Sequence, residues 1–457
     1  MAEKPAACIT TEMTPLIQPS LLRYYQALEN RYPVMMGTRY ADLVVPNGNE
    51  QAPFHRWFHL KEGFSYRLLA RVLEDTGLSQ TPRLRVLDSF AGVGTAPVSA
   101  LQAPIGRSRS VEAYGIEQNP FLHLVGQTKM RALAGEESDF PDFVKEVVSL
   151  VQANSVQAGP VPRLSTFSNA AYFEPGALAT LLKLRSAIDS AEGLPLSREL
   201  ARISLAATVE PVSGLRRDGR ALRFVRGKVT AAPAEEFLTK CKLIAEDLSC
   251  VGASAGSKGR IYLGDGRRPQ TVLPQGFKAD LVLFSPPYPN NIDYTEVYKL
   301  ETWLLQFITS REEFRSQRLR TLRSHPSVRF PEVYGASRNN HAAEFDAILA
   351  PLMASVPNTR ERSWRLRLIR GYFDDMLETL QNHAQLLADG GALVYVVGNS
   401  LHGSGNQRFL VAADLLMARL AELAGLAVES FVVARRPARK SVGGPLLRES
   451  VVFLRKV

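Results

Sequence analysis

The sequence predicts an α/β fold, with a mixed and mostly parallel β-sheet, an antiparallel hairpin at the C-terminus and mainly helical insertions. Two observations predict it. Apolar runs of strand length alternate with helical patterns in separate parts of the chain, as in parallel sheets joined by crossover helices. The last two apolar runs, VESFVVARR and ESVVFLRKV, follow one another directly, as antiparallel neighbours do.

The composition is that of a soluble globular protein, with 457 residues, 45% hydrophobic and 22% charged. No apolar run is long enough to cross a bilayer, and the N-terminus lacks the basic-then-apolar plan of a secretion signal. We therefore expect a cytoplasmic protein without a membrane partner. The three cysteines, Cys8, Cys241 and Cys250, form no CxxC pair. This argues against a disulfide framework and against a metal site.

The net charge of +10 suggests a polyanionic partner. Part of the excess lies between Thr309 and Arg370, where twelve arginines and no lysine face six acidic residues. A second basic run, from Gly214 to Lys228, holds six basic residues and one aspartate. Arginine binds phosphate and guanine edges bidentately, so we favour a nucleic acid over a merely solvated basic surface.

The α/β pattern divides into three pieces, which we assign to one catalytic domain: residues 53–121, 259–308 and 366–457. Residues 1–52 read as a partly ordered lead-in. Residues 122–258 form a mainly helical interruption, and residues 309–365 form an Arg-rich one. No internal repeat is present in the sequence.

A glycine turn follows the first strand of this domain. Asp88 ends the strand RLRVLD, and Gly92 and Gly94 follow before a helix, which allows close backbone approach to a ligand. Glu117 ends the next strand, where a carboxylate can accept both ribose hydroxyls of an adenosine. No phosphate-binding GxxxxGK[ST] is present, which favours an adenosine cofactor without pyrophosphate. Asp265, after a further strand, is placed to accept from an adenine amine.

The segment beginning LVLFSPPY at Leu281 carries the strongest functional signal. A buried strand must stop at Pro286 and Pro287, because proline cannot donate to a sheet. A stiff turn with free carbonyl oxygens and the ring of Tyr288 remains at the carboxyl end of the strand, where α/β sheets bind ligands. These groups suit a planar base with an exocyclic amine, although a Pro-rich turn without chemistry is the alternative.

Together these motifs resemble the S-adenosylmethionine-dependent amino-methyltransferases of DNA, the SPPY/DPPY group with its Rossmann-like class I fold. DSFAGVGT resembles the cofactor loop, GIEQNP the ribose acid, LGDG the adenine-contacting segment and FSPPY the catalytic motif. LKEGFS resembles the segment that embraces the methionine half of the cofactor. The resemblance implies S-adenosyl-L-methionine as cofactor, held by Lys61, Ser65, Asp88, Phe90, Gly92, Gly94, Thr95, Glu117 and Asp265.

The same resemblance implies a catalytic role for Ser285, Pro286, Pro287 and Tyr288. Carbonyl oxygens at Ser285 and Pro286 accept the amine hydrogens, and Tyr288 stacks on a base turned out of the duplex. The serine form favours the N4 amine of cytosine, and adenine N6 methylation is the alternative. An RNA base-amine methyltransferase and a cofactor-binding subunit without activity also stay open. No cysteine lies in a Pro-Cys turn at a strand end, which argues against methylation of ring carbon.

Double-stranded DNA is the expected partner, and the resemblance leaves open a cognate restriction nuclease as a second one. No separate recognition domain follows the last strand. We therefore expect both interruptions to share target recognition, although either one could simply pack on the core. The predicted nucleic-acid contacts are Arg216, Arg217 and Arg220 in the first interruption and Arg318, Arg320 and Arg323 in the second.

Overall fold

An eight-stranded β-sheet forms the centre of the structure, a computed structural model that describes residues 17–102, 110–217, 222–250, 258–290, 292–338, 341–403, 407–436 and 446–457. In chain order the strands are β1 (Val34–Met36), β2 (Arg83–Asp88), β3 (Ser110–Glu117), β4 (Leu215–Arg217), β5 (Leu222–Phe224), β6 (Lys258–Leu263), β7 (Ala279–Phe284), β8 (Leu387–Gly398), β9 (Ser400–His402), β10 (Phe409–Val411), β11 (Leu426–Arg435) and β12 (Glu449–Lys456).

The helices pack on both faces of this sheet. In chain order they are α1 (Pro19–Glu29), α2 (Leu68–Asp75), α3 (Thr95–Gln102), α4 (Pro120–Leu133), α5 (Phe140–Gln152), α6 (Ser165–Ser168), α7 (Pro175–Ser190), α8 (Pro195–Val209), α9 (Pro233–Ser249), α10 (Tyr294–Val297), α11 (Lys299–Leu304), α12 (Arg311–Arg320), α13 (Ala342–Ser355), α14 (Arg362–Leu386) and α15 (Ala413–Leu423).

The strand order is β1-β11-β12-β8-β7-β2-β3-β6. Within this eight-stranded sheet, β12 runs antiparallel to its neighbours β8 and β11, and the other described pairings are parallel. The prediction of a mostly parallel sheet with an antiparallel C-terminal hairpin is therefore confirmed. The chain moves outward from β2 through β3 to β6 and then returns to β7 on the other side of β2. This reversal places a crevice at the carboxyl ends of β2 and β7.

The sheet is buried on both faces, because alternate residues of its central strands enter two different cores. In β7, Leu281 and Leu283 belong to one cluster of buried side chains. Val282 and Phe284 belong to the other. A strand buried on both sides needs a continuous apolar run, which is why LVLF was readable as a strand.

The N-terminal lead-in contributes to the domain more than the sequence indicated. β1 adds a parallel edge strand beside β11, pairing Val34 with Phe431. The Tyr25 hydroxyl of α1 donates to the Leu410 carbonyl at 3.0 Å. From Pro19 onward this segment is therefore part of the described fold.

The first interruption begins later than residue 122, because that boundary falls inside α4. This helix packs against β6 and α3 and is the crossover between β3 and β6. Helices α5, α7, α8 and α9 then pack on one another, with the small β4–β5 hairpin beside them. In the part of the chain that the structure describes, no helix has both the length and the apolar character of a membrane span.

Candidate active site

The glycine turn between β2 and α3 is tightly enclosed. Gly92 and Gly94 adopt left-handed φ angles of 52° and 84°. A Cβ atom on Gly94 would lie 2.8 Å from Cδ1 of Ile261, and one on Gly92 would lie 2.7 Å from Cδ2 of Leu60. The backbone conformation therefore favours glycine at these positions, and a side chain there would also have to displace the end of Leu60 or of Ile261.

Glu117 joins this turn to the end of β3. Its carboxylate accepts the Gly92 N–H at 2.8 Å and the Asn119 N–H at 2.7 Å. Burial raises the pKa of Glu117, while these amides oppose the rise. The acid predicted for the ribose is thus fixed against the turn predicted to carry the cofactor.

Asp265 is held by a residue that the sequence analysis did not single out. Arg267 donates from Nη2 to Asp265 Oδ2 at 2.8 Å and from Nε to Oδ1 at 3.0 Å. Arg267 also donates from Nη1 to Asp375 Oδ1, on α14, at 2.9 Å. Asp375 in turn accepts from Arg323 of the Arg-rich segment, at 2.7 Å.

The Ser-Pro-Pro-Tyr turn follows β7 directly, and its tyrosine is anchored at both ends. The Ser285 hydroxyl donates to the Tyr288 hydroxyl at 3.2 Å, which donates to Glu449 Oε1 at 2.8 Å. The Tyr288 ring packs against Gly398, where a Cβ atom would lie 2.9 Å from the ring. Burial and the Glu449 carboxylate raise the pKa of Tyr288 well above its usual range, so its hydroxyl remains a donor.

The glycine turn and the Ser-Pro-Pro-Tyr turn open into one cleft at the carboxyl edge of the sheet. Of the residues predicted for cofactor or catalysis, those lining it are Phe90, Gly92, Glu117, Asp265, Ser285, Pro286, Pro287 and Tyr288.

Besides Gly94, which belongs to the glycine turn but not to the cleft wall, four other predicted residues lie behind or beside this cleft. Asp88 is buried, accepts the Phe90 N–H at 3.0 Å and has its pKa raised by burial to about 8. Thr95 is buried at the start of α3. Ser65 is buried and donates to the Asn47 carbonyl at 2.8 Å. Lys61 donates to the Arg217 carbonyl at 2.7 Å. The structure thus gives all four a supporting position, not a place in the cleft wall.

Glu62, which the sequence analysis passed over, lines the cleft instead of Lys61. One carboxylate oxygen accepts from the Tyr298 hydroxyl. The other, Oε1, is buried and has no hydrogen-bond partner in the described structure. Burial raises the pKa of Glu62. The sequence signal for Glu62 was its position inside LKEGFS, between Lys61 and Ser65, which were both predicted to hold the cofactor.

The Arg-rich segment forms a wall of the same cleft. Gln317, Thr321, Leu322, Ser324 and His325 all line it. The Gln317 Nε2 atom is buried and has no partner among the described residues. Thus the second interruption reaches the predicted base pocket directly.

The predicted nucleic-acid arginines separate into two groups. Arg217 is only 6% exposed, pairs with Glu210 at 2.5 Å and contacts the fully buried Glu301. Arg323 pairs with Asp374 at 2.9 Å and with Asp375. A direct contact with nucleic acid does not fit either residue, because its charge is already compensated inside the protein.

The charge of Arg318 is also compensated inside the protein. Its Nε lies 3.0 Å from Asp293 Oδ2, and it makes a second ion pair with Glu296. Arg216 and Arg320 are exposed. Arg220 lies outside the described residues. Among the residues described, no cluster of His, Cys, Asp and Glu could hold a metal ion.

Comparison with known proteins points to one class of enzyme, although no protein-family model matches the chain. The chain is 24% identical to the Type II methyltransferase M.AvaI of Nostoc sp. over 465 residues, covering 93% of this chain and 92% of that protein. The names of such relatives support a methyltransferase of the restriction-modification type. S-adenosylmethionine is its methyl donor.

Two further comparisons are more limited. The Type II methyltransferase M.BsoBI of Geobacillus stearothermophilus is 24% identical over 286 residues, which cover 57% of this chain and 54% of that protein. Among solved structures, the rRNA methyltransferase aviRa of Streptomyces viridochromogenes is 11% identical with a TM-score of 0.33, over 92% of this chain and 96% of that one. The fold assignment of this methyltransferase accordingly rests on its strand order.

Proposed function

We propose that this methyltransferase acts on DNA and transfers the methyl group to the exocyclic N4 amine of a cytosine turned out of the duplex. One observation carries the proposal: the Ser-Pro-Pro-Tyr turn and the glycine turn with Glu117 line a single cleft. A methyl donor on one side and a base amine on the other would therefore meet. The relatives named Type II methyltransferases support methyl transfer to DNA, and they leave the acceptor amine open.

The cleft fits S-adenosylmethionine by the chemistry of its side chains. Glu117 would accept hydrogen bonds from the ribose hydroxyls. Asp265, which Arg267 orients, would accept a hydrogen bond from the adenine amine. The unpartnered Oε1 of Glu62 suits the ammonium group of the methionine half, since a buried carboxylate oxygen needs a donor. When bound, the cofactor supplies an activated methyl group.

The residues of the turn would prepare the amine for attack. The carbonyl oxygens of Ser285 and Pro286 would accept hydrogen bonds from both N–H groups of the amine. These bonds would draw the nitrogen lone pair out of conjugation with the aromatic ring. Tyr288, fixed by Glu449, would stack on the base. The nitrogen would take the methyl group as the bond between that group and the sulfonium sulfur breaks to leave a thioether, and the nitrogen would release one proton to solvent. Positioning, with no strong general base, accounts for most of the rate increase.

Cytosine is favoured by the serine at position 285, and adenine N6 is the alternative acceptor. The deciding experiment incubates the full chain with methyl-labelled S-adenosylmethionine and either duplex DNA or RNA, then digests the product to nucleosides. We expect label in N4-methylcytosine. Label in N6-methyladenine would contradict cytosine as the acceptor. Label only in RNA would contradict DNA as the substrate, and no label in any nucleic acid would contradict nucleic-acid methylation itself.

A pair of variants ties that activity to the cleft. Tyr288→Ala removes the stacking ring, and we expect it to lower the methylation rate by roughly 100-fold, as misplaced reactants do. Tyr262→Ala is the matched control, because Tyr262 is a partly buried tyrosine on β6 outside the cleft wall. Equal loss in both variants would detach the activity from this turn.

A further inference from the structure

A second groove continues outward from the cleft. It lies between the loop around residues 323–334, the first turns of α14 and the β9–β10 pair, and it encloses about 750 Å³. Pro289, which follows Tyr288 in the chain, forms part of its wall, and Ser324 lines both the cleft and the groove. A polymer with one unit in the cleft would therefore extend into this groove.

The groove has an excess of positive charge. Its lining holds the arginines 323, 329, 360, 365 and 367 against the glutamates 332 and 361. Arg365 pairs with Glu361 at 2.7 Å, and Arg367 contacts Glu332. Burial lowers the pKa of His402 to about 4, so this ring adds no charge at neutral pH.

Two arginines of the groove have no interaction partner among the described residues. Arg329 and Arg360 are exposed, and neither guanidinium makes a hydrogen bond, an ion pair or a ring contact with the residues that the structure describes. This distinguishes them from Arg217 and Arg323, whose charges are compensated internally. Free guanidinium groups on a concave surface are suited to phosphate.

Aromatic side chains lie between these charges. Trp364, in the first turn of α14, is partly exposed and lines the groove with Phe330 and Tyr334. Tyr334 is already covered by guanidinium groups, that of Arg370 lying 5.3 Å from its ring centre. No such neighbour covers Trp364 among the described residues. Alternating aromatic rings and basic groups are typical of surfaces that follow a nucleic-acid strand.

We propose that this groove binds the DNA strand next to the target base, with Arg329 and Arg360 on its phosphates and Trp364 stacked on a neighbouring base. The inference rests on the proposed function for the identity of the polymer. It assigns strand binding to three residues of the Arg-rich interruption that were not among the predicted nucleic-acid contacts. It also explains why the Arg-rich segment borders the cleft and the groove together.

The test measures affinity for a fluorescent DNA duplex at several salt concentrations, using the full chain with S-adenosylmethionine. For Arg329→Ala/Arg360→Ala we expect weaker binding and a salt slope smaller by about 1.8, at about 0.9 for each phosphate contact. The control variant Lys258→Ala/Lys456→Ala also removes two positive charges, but at the edge of the sheet opposite to the cleft. That control should leave the slope unchanged.

Trp364 provides an independent measurement. Trp364→Ala should weaken DNA binding by about tenfold, within the range known for base–aromatic stacking, while Trp364→Phe keeps most of the affinity. Binding of S-adenosylmethionine alone should not change in any of these variants.

The outcomes separate this inference from the proposed function. Wild-type protein that methylates DNA, with groove variants equal to wild type in affinity and slope, would overturn the groove and leave the function standing. Equal slope changes in the lysine control would also overturn it. Wild-type protein that neither binds nor methylates DNA would overturn both.

Discussion

The Tyr288 hydroxyl donates a hydrogen bond to Oε1 of Glu449 at 2.8 Å. This bond connects the turn after β7 to the first residue of β12, 161 positions later in the chain. Glu449 Oε2 accepts from Arg435 Nε at 2.6 Å, so the antiparallel hairpin holds the acceptor in place. The last strands thus orient the ring of the proposed base pocket.

Glu449→Ala should lower the methylation rate by roughly tenfold or more, because a loosely held ring positions the base poorly. The affinity for S-adenosylmethionine should stay close to wild type. Steady-state kinetics with DNA and calorimetry with the cofactor measure the two effects. Glu429→Ala is the control, since this glutamate of the same hairpin pairs with Arg455 at 2.9 Å and leaves the Tyr288–Glu449 bond intact; a rate loss as large as that of Glu449→Ala would contradict this role.

Glu117→Ala should raise the Kd for S-adenosylmethionine by roughly 10- to 100-fold, since hydrogen bonds to a charged group contribute about 1.5–3 kcal/mol each. Isothermal titration calorimetry gives the value. Asp88→Asn is the matched control, because Asp88 is a buried strand-end acid outside the cleft wall. A cofactor affinity that survives Glu117→Ala would remove this acid from the cofactor site.

Glu62→Gln should also weaken cofactor binding, because the amide no longer offers a negative charge to an ammonium group. The Tyr298 contact can persist in this variant, so the fold should be retained. Binding of S-adenosylmethionine should fall more than binding of an adenosine analogue that lacks the amino-acid part. Equal losses for both ligands would place Glu62 away from the methionine half.

The stability of the protein should depend on pH through Asp88. Burial raises the pKa of this carboxyl from 3.8 to about 8, so the folded state retains a proton that the unfolded state has lost. The free energy of unfolding therefore falls as pH rises from about 4 to about 8.

Urea unfolding of wild type and Asp88→Asn at pH 5 and pH 8 isolates this group from the others that titrate. The asparagine variant should lose less stability between the two pH values, by on the order of a few kcal/mol. Parallel changes in both proteins would show that Asp88 is ionised in the folded state.

Two neighbouring arginines should differ sharply on replacement. Arg217→Ala should lower the free energy of unfolding by roughly 3–5 kcal/mol, because it leaves the buried Glu301 uncompensated. Arg216→Ala, at an exposed position, should change stability by less than about 0.5 kcal/mol. Thermal melts measure both, and DNA affinity shows whether Arg216 contributes to binding. Similar melting temperatures for the two variants would contradict this assignment.

The turns of the site were predictable because each is encoded within a few residues. A strand that ends in two prolines, or in a glycine pair, has few other conformations available. Glu117 was predictable for the same reason, since it follows directly from the end of β3. Their meeting in one cleft follows from the common carboxyl edge of parallel strands.

The roles of the arginines were not predictable, because a count of charges does not report burial. Arg217 and Arg323 lie in basic runs, yet their partners lie directly after α8, in α11 and in α14, between 7 and 84 positions away. Likewise β1 is only three residues long, and its pairing with β11 depends on residues almost 400 positions away. Glu62 was passed over because its importance depends on an oxygen left without a donor.

Asp375 of α14 accepts from both Arg267, beside the acid proposed to bind adenine, and Arg323, which lies at the start of the groove. One carboxylate thus fixes a residue next to the proposed cofactor site and a residue of the Arg-rich segment. Exchanging that segment with the equivalent one of a relative, in order to change target specificity, would break this shared anchor. A functional chimera would have to inherit the matching face of α14 as well.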